Sequence, residues 1–446
     1  MTGRISLSSR WVAMGLALMV SSAVPEIALA QLAQDAAKKK EQAPGATEEG
    51  AKPEYSKEFR KLASKAQEYV NEKKWTELLE TLPEIEALPA LSNDEKKVLA
   101  TWRLQAAQGM GDQEALAAAI EVFLKEGYAE PDQVGVMHRQ LAAHYSNKQD
   151  KEKTLHHFRQ FVDATPDVEP DELETLGRLY LQGNHYAEAQ EWLGKAIDLS
   201  VSKGQKPKEA WFQLRDRAFV ETKDNAGRLA NLESLVSYYP NKDYYSRIVA
   251  MYQSESKDDR IVMLNAYRLA VTDPLGGLAT VGGYLNYADT ALVGGSPGEA
   301  QRALERGMKE GIVPNAGTNQ QALQEAKTAV AADKKSLPAE AVAAEKNPKG
   351  EVGVKVGLGF YSTGDYEQAV AVTRKGIAKG GVQRLDDANL LLGAALVELG
   401  RTDEARAAFD AAVAAAPAGS LTARIANLWL ARVERPAAAP APATGG

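Results

Sequence analysis

The chain has 446 residues, 44% hydrophobic and 25% charged, with a formal net charge of −7 and no cysteine. The missing thiol excludes disulfides, thiol catalysis and thiolate metal sites, and it leaves no cysteine for a lipid anchor. Mild acidity without a basic stripe excludes a nucleic-acid binder, and the short run Lys38, Lys39, Lys40 reads as a solvated tail.

In chain order, Arg4 and Arg10 supply a positive start, residues 11–20 form a short apolar core, and Ala28, Leu29 and Ala30 make a small-x-small site before Gln31. That order predicts a cleaved secretory signal peptide over 1–30. Its apolar run is too short to span a membrane, and no later stretch approaches the ~18 apolar residues a span needs, so the mature chain is expected to be soluble. Residues 31–54 are rich in Ala, Lys, Glu, Pro and Gly, and 435–446 in Pro, Ala and Gly. Both are expected to be disordered tails around a folded region, 55–434.

Within that region a pattern recurs every 33 to 39 residues or so, the mark of a helical solenoid. A small lead residue is followed by an aromatic or aliphatic one at +3 and a turn. A small residue then stands at +12, a large one at +16 and a small one at +19, often with Pro at +24. The spacings place the two halves on two antiparallel helices. The leads are Ala66, Leu104, Ala142, Gly177, Asp216, Val249, Ala288, Gly357 and Gly393. The last copy reads Gly393, Leu396, Ala405, Phe409, Ala412, Pro417, and the copy led by Val249 reads Tyr252 and Ile261. Residues 318–349 keep a helical composition but lose the turn, and Pro338 is expected to interrupt the second helix of a degraded repeat. The prediction is an all-α solenoid of about ten helix pairs, with residues 421–433 as a C-terminal capping helix.

The run Leu392, Gly393, Leu396, Gly400, Ala405, Phe409, Pro417 resembles a tetratricopeptide repeat, as do Leu176, Gly177, Tyr180, Tyr186 and Ala189. The resemblance implies a right-handed superhelix with a concave groove that binds proteins or peptides. Residues 307–313, 206–211 and 238–245 are similar to a group of exported tetratricopeptide proteins of Gram-negative bacteria that accompany TonB–ExbB–ExbD energy-transduction systems. That resemblance implies a periplasmic accessory of such a system. The repeat lacking at 318–349 is a departure from that group.

In such an architecture the first helix of each pair lines the groove, and positions −6, −3, +1, +4 and +5 from each lead point into it. These positions give Arg139, Ser146 and Asn147; Asp171, Glu174, Arg178, Leu181 and Gln182; and Gln213, Arg217, Val220 and Glu221. Arginine and amide side chains can hold a peptide backbone or a carboxylate. The Lys/Asn carboxylate clamp of the family is not matched at Arg139 with Ala143 or at Glu174 with Arg178.

Catalytic and cofactor patterns do not assemble. Residues 294–298 fit G-x-S-x-G, but the flanks read as helix on both sides, so Gly and Pro there shape a turn rather than a nucleophile elbow. The histidines, His138, His144, His156, His157 and His185, show no H-E-x-x-H, and their spacings put them on different helix faces. No cofactor, metal or catalytic residue is expected. The function expected is a non-enzymatic periplasmic scaffold for a protein or peptide. The alternative is a binder of peptidoglycan or outer-membrane polysaccharide, for which 16 tyrosines supply rings.

Overall fold

The structure, a computed structural model, describes residues 55–435, and among them twenty α-helices follow one another without a strand. The expected leader 1–30, the tail 31–54 and the tail 435–446 apart from its first residue, Arg435, lie outside the described residues. Two units divide the chain at 99/100.

The first unit holds α1 (Lys57–Asn71), α2 (Trp75–Glu86) and the start of α3 (Asn93–Met110). Phe59, Ala63, Ala66, Leu78, Leu82 and Ile85 form its buried core. The Ser56 side chain caps α1 by accepting from the Phe59 amide at 3.1 Å. The Glu95 carboxylate accepts from the Ser56 and Ser92 amides at 2.6 and 2.8 Å, tying the first turn of α1 to that of α3.

The second unit continues with α4 (Gln113–Lys125), α5 (Pro131–Asn147), α6 (Lys151–Asp163), α7 (Pro170–Gln182), α8 (Tyr186–Ser202), α9 (Glu209–Thr222) and α10 (Asn225–Tyr238). Then come α11 (Lys242–Glu255), α12 (Arg260–Thr272), α13 (Val281–Val293), α14 (Pro297–Lys309) and α15 (Thr318–Lys346). The last are α16 (Gly350–Thr363), α17 (Tyr366–Lys379), α18 (Leu385–Glu398), α19 (Thr402–Ala415) and α20 (Leu421–Val433).

One turn geometry makes the pairs. In eight of nine pairs the residue seven after the lead has a positive φ: Lys73, Gly111, Gln149, Asn184, Lys223, Gly295, Gly364 and Gly400. The next residue caps the second helix, and at Asp112, Asp150, Asp224 and Asp365 its carboxylate accepts backbone N–H groups of the first turn. The left-handed residue reverses the chain within one step, and the cap satisfies amides that the new helix leaves open. The pair led by Val249 differs. Lys257 and Asp258 both have positive φ before the cap Asp259, and this longer turn shifts the second helix. Ile261, expected in the core, is therefore 45% exposed, and Met263 takes its place.

The pairs close by small-against-large contact. A Cβ on Gly177 would stand 2.7 Å from Leu193 Cγ, and one on Gly357 would stand 2.0 Å from Thr373 Oγ1. Both are lead and +16 positions, so the sequence repeat records the closest approach of two helices.

One expectation is corrected, and one feature was not anticipated. Residues 318–346 are one continuous helix with Pro338 inside it, so nine pairs and a single long helix stand where about ten pairs were expected. Ala326, Leu337 and Ala344 of α15 are buried along its length, and packing on both sides of the proline holds the helix together where its missing N–H does not. The array also does not stay open after α15. α18 and α20 pack against α12, and α20 also packs against α10, so the last helices cover the second-helix side of the middle repeats. In consequence residues 262–270 of α12 are all buried.

Polar contacts fix this return. The Asn265 amide donates to Asp387 Oδ1 at 2.7 Å. Arg384 pairs with both oxygens of Asp259 at 2.9 Å, and Arg435 with Asp273 at 3.0 Å. Arg424 reaches Glu233 at 2.9 Å across 191 residues of sequence. α11 adds a tyrosine to two of these carboxylates: Tyr245 donates to Asp273 and Tyr252 to Glu233.

Candidate interaction surface

The first helices α5, α7 and α9 carry the positions expected to face a groove. Arg139, Ser146, Asn147, Asp171, Arg178, Gln182, Gln213, Arg217 and Glu221 are exposed. Glu174 is not: it is buried and accepts from Arg178, one helical turn on. That carboxylate anchors Arg178 instead of meeting solvent, and Leu181, also expected to face the groove, is in the core because its side chain packs with the buried Ala189 and Leu193 of the paired helix.

Neighbouring repeats are laced by pairs along this side. Arg139 meets Glu172 at 3.2 Å, and Lys208 meets Asp171 at 2.5 Å. Gln213 donates to the Tyr244 hydroxyl at 3.0 Å, while Arg228 and Arg247 share Asp216 at 2.9 and 2.6 Å. Each pair joins one repeat to the next except Arg228–Asp216, which lies within a pair. An exposed pair such as Lys208–Asp171 contributes about 0–1 kcal/mol, so it sets register more than stability. Val220, between Arg217 and Glu221, is 48% exposed. The surface thus offers the amides of Asn147 and Gln182, the arginine Arg217 and the exposed apolar side chain of Val220.

Histidines read as scattered are brought together by the α5/α6 pair. His138 Nδ1 and His157 Nδ1 lie 3.0 Å apart with ring centroids at 5.3 Å, so the rings meet nitrogen to nitrogen and share one proton. Tyr145 stacks on His157 at 5.5 Å and donates to Glu121. Burial, then His156 and His138, push the His157 imidazole down to about 4. Spacing within one helix could not reveal a pair formed between two helices. Among the described residues no group of three His, Cys, Asp or Glu could hold a metal ion.

The G-x-S-x-G stretch lies on the α13/α14 turn, as expected. Ser296 is fully buried and donates to Glu299 at 2.5 Å. Glu299 also accepts from Tyr287 at 2.9 Å and from Arg268 through two bonds of 2.9 and 2.6 Å. Burial would raise the Glu299 carboxyl, but the Arg268 guanidinium holds it below its ordinary range. Gly298 lets the Ser362 carbonyl approach, since a Cβ there would stand 1.8 Å from that oxygen. The motif's glycines and serine serve helix packing.

No helix among the described residues is long and apolar enough to cross a membrane. The tetratricopeptide repeat family model matches residues 173–200 and 386–418, which fall on the pairs α7/α8 and α18/α19. No curated protein matches the chain. Among solved structures it is similar to the TPR2AB domain of yeast Sti1 in complex with a pHSP90 partner, with 10% identity over 68% of this chain and 100% of that one and a TM-score of 0.22. It is also similar to a tetratricopeptide repeat protein from Parabacteroides merdae, with 14% identity over 61% and 100% and a TM-score of 0.22. A third is the C-terminal part of a TPR repeat-containing protein from Cytophaga hutchinsonii, with 11% identity over 73% and 97% and a TM-score of 0.24. The assignment rests on the repeats themselves: the helix pairs at 173–200 and 386–418 match the tetratricopeptide repeat, and the described residues form an all-helical array of antiparallel pairs.

Proposed function

We propose that the protein is a non-enzymatic periplasmic scaffold that binds a protein or peptide along the first-helix side of α5, α7, α9 and α11, as an accessory of TonB-type energy transduction. The observation that carries the reading is the one-sided covering of the second unit. Its own C-terminal helices occupy the second-helix side of α10 and α12, while Arg178, Gln182, Gln213, Arg217 and Glu221 stay exposed. A preformed helical face of that kind gains affinity because only the partner loses conformational freedom. The leader expected over 1–30 supports export.

Binding of peptidoglycan or outer-membrane polysaccharide would need open aromatic faces. Lys195 and Arg159 lie over Trp192 at 3.9 and 4.5 Å, Lys208 over Trp211 at 5.4 Å and Lys206 over Tyr239 at 3.7 Å. These rings are already engaged by cations, which favours the protein-binding reading.

The test is capture from periplasmic extract with the mature chain as bait, with ExbB, ExbD and TonB blotted among the captured proteins. Enrichment that falls in an Arg178→Ala/Arg217→Ala variant is the expected result. Capture of no protein, or sedimentation of the chain with peptidoglycan in its place, would overturn the proposal.

A further inference from the structure

We infer that the cleft between α4 and α5 is an anchor pocket for one bulky, uncharged apolar side chain of an extended partner segment. The inference rests on the scaffold reading and names the part of the partner that this end of the surface takes. The cleft is open on one side and holds about 550 Å³, within the range of pockets that hold small ligands. Half-buried Leu116 offers it apolar surface over a floor of buried Ala117, Ile120 and Leu141.

The rim decides the chemistry. Gln113, Gln140 and Asn147 border the cleft, each with a donor and an acceptor. None of the three engages another described side chain or backbone group. An extended peptide presents N–H and C=O groups alternately, which is what such amides can match. The charges at the rim compensate one another: Glu114 pairs with Lys148, and His144 Nε2 lies 3.6 Å from the same carboxylate. A charged occupant would lose its hydration over apolar residues and find no open counter-ion, which is costly. A leucine- or phenylalanine-sized side chain gains from the same burial. Ala143 and Asn147 lie on the exposed side of α5, so the cleft opens beside the proposed surface.

The experiment uses the full mature chain and blocked alanine tripeptides with a central photo-leucine, cross-linked by light and mapped by mass spectrometry. Cross-links are expected in 113–120 and 140–148. Blocked tripeptides with central leucine or phenylalanine should compete, and those with central aspartate or lysine should not. Ala143→Trp fills the mouth from an exposed position and should cut the yield about tenfold, equivalent to ~1.4 kcal/mol of affinity. Should that variant melt lower than wild type, the rim variant Gln140→Ala/Asn147→Ala carries the test and should reduce the yield in the same direction. Equal competition by the charged peptides, or yields unchanged in the variants that fold, would overturn the pocket. Cross-links confined to α7 and α9 would also overturn it while leaving the scaffold reading standing. Bait capture that fails alongside clean pocket cross-links would overturn the scaffold reading instead.

Discussion

The ring of Phe409 occupies the place where a side chain on Gly393 would stand. A Cβ on Gly393 would come within 2.3 Å of Phe409 Cε1, and Trp429 stacks on the same ring at 5.1 Å and 12°. The ring is held from the far side by the capping helix and cannot swing away. Gly393→Ala is expected to destabilise the chain by ~1–3 kcal/mol through overpacking, read from the denaturant midpoint. Phe409→Leu in the same background should recover part of that loss. Additive losses in the double variant would show that the two positions do not share this contact.

That contact was legible in the sequence because it repeats. Gly177 with Leu193 and Gly393 with Phe409 stand at one spacing, and Ala189, Ala196, Ala405 and Ala412 are all fully buried as the spacing requires. The turns were legible only where glycine supplies the positive φ. At Lys73, Gln149, Asn184 and Lys223 the same geometry is carried by ordinary residues, and a search for glycine passes over them. The return of the C-terminal helices was not legible from periodicity, which reports one helix face and not what covers it. A signal existed nonetheless. Nine of the thirteen residues of α12 are apolar, and residues 390–396 of α18 carry no polar side chain. Helices of that kind sit inside a structure rather than on its edge. For the surface itself, ten of the twelve expected residues are in solvent, while Glu174 went inside with its carboxylate taken by Arg178 on the next turn, and Leu181 joined the core.

Arg268 and Glu299 form a buried ion pair at the centre of that return, and Arg268 Nη1 donates to Asn265 Oδ1 at 2.9 Å. Removing one member leaves a desolvated charge. Arg268→Met is expected to cost ~3–5 kcal/mol, whereas Arg268→Met/Glu299→Met should cost less than the sum of the single changes. A double-mutant cycle by thermal or chemical unfolding reads the coupling. A coupling of zero would mean that the pair is not formed.

Two buried groups give opposite dependences on pH. His157 has a folded value of about 4 against an ordinary 6.5. Between those values the unfolded chain takes up a proton that the folded chain refuses, so this contribution is present above pH 6.5 and is lost as the pH falls towards 4. Asp387 runs the other way. Burial pushes its carboxyl up to about 6 from 3.8, despite Arg384, whose Nε lies 2.5 Å from Oδ2 without hydrogen-bond alignment. The folded chain holds that proton longer, so this contribution is present below pH 3.8 and is lost as the pH rises through 6. Melting temperatures of Asp387→Asn should gain on wild type above pH 6, because the amide can still accept from Asn265. Those of His157→Gln should show a shallower loss between pH 6.5 and 4. Parallel curves for all three proteins would remove both assignments.

Pro338 tests why α15 stays whole. Its ring removes one helical hydrogen bond and crowds the preceding turn, at a cost of ~3 kcal/mol relative to alanine in a helix interior. Buried Ala326 and Leu337 hold the helix before the proline, and Ala344 holds it after. Pro338 itself is exposed, so no packing contact is lost on replacing it. Pro338→Ala is therefore expected to stabilise the chain by ~1–3 kcal/mol, seen as a higher melting temperature with unchanged helical circular dichroism. Had residues 318–346 instead been two helices hinged at the proline, the same substitution would fuse them, raising the helical signal and straining the packing of α16 against α14. A lower melting temperature with added helicity would be that result, and it would restore the degraded helix pair that the sequence suggested.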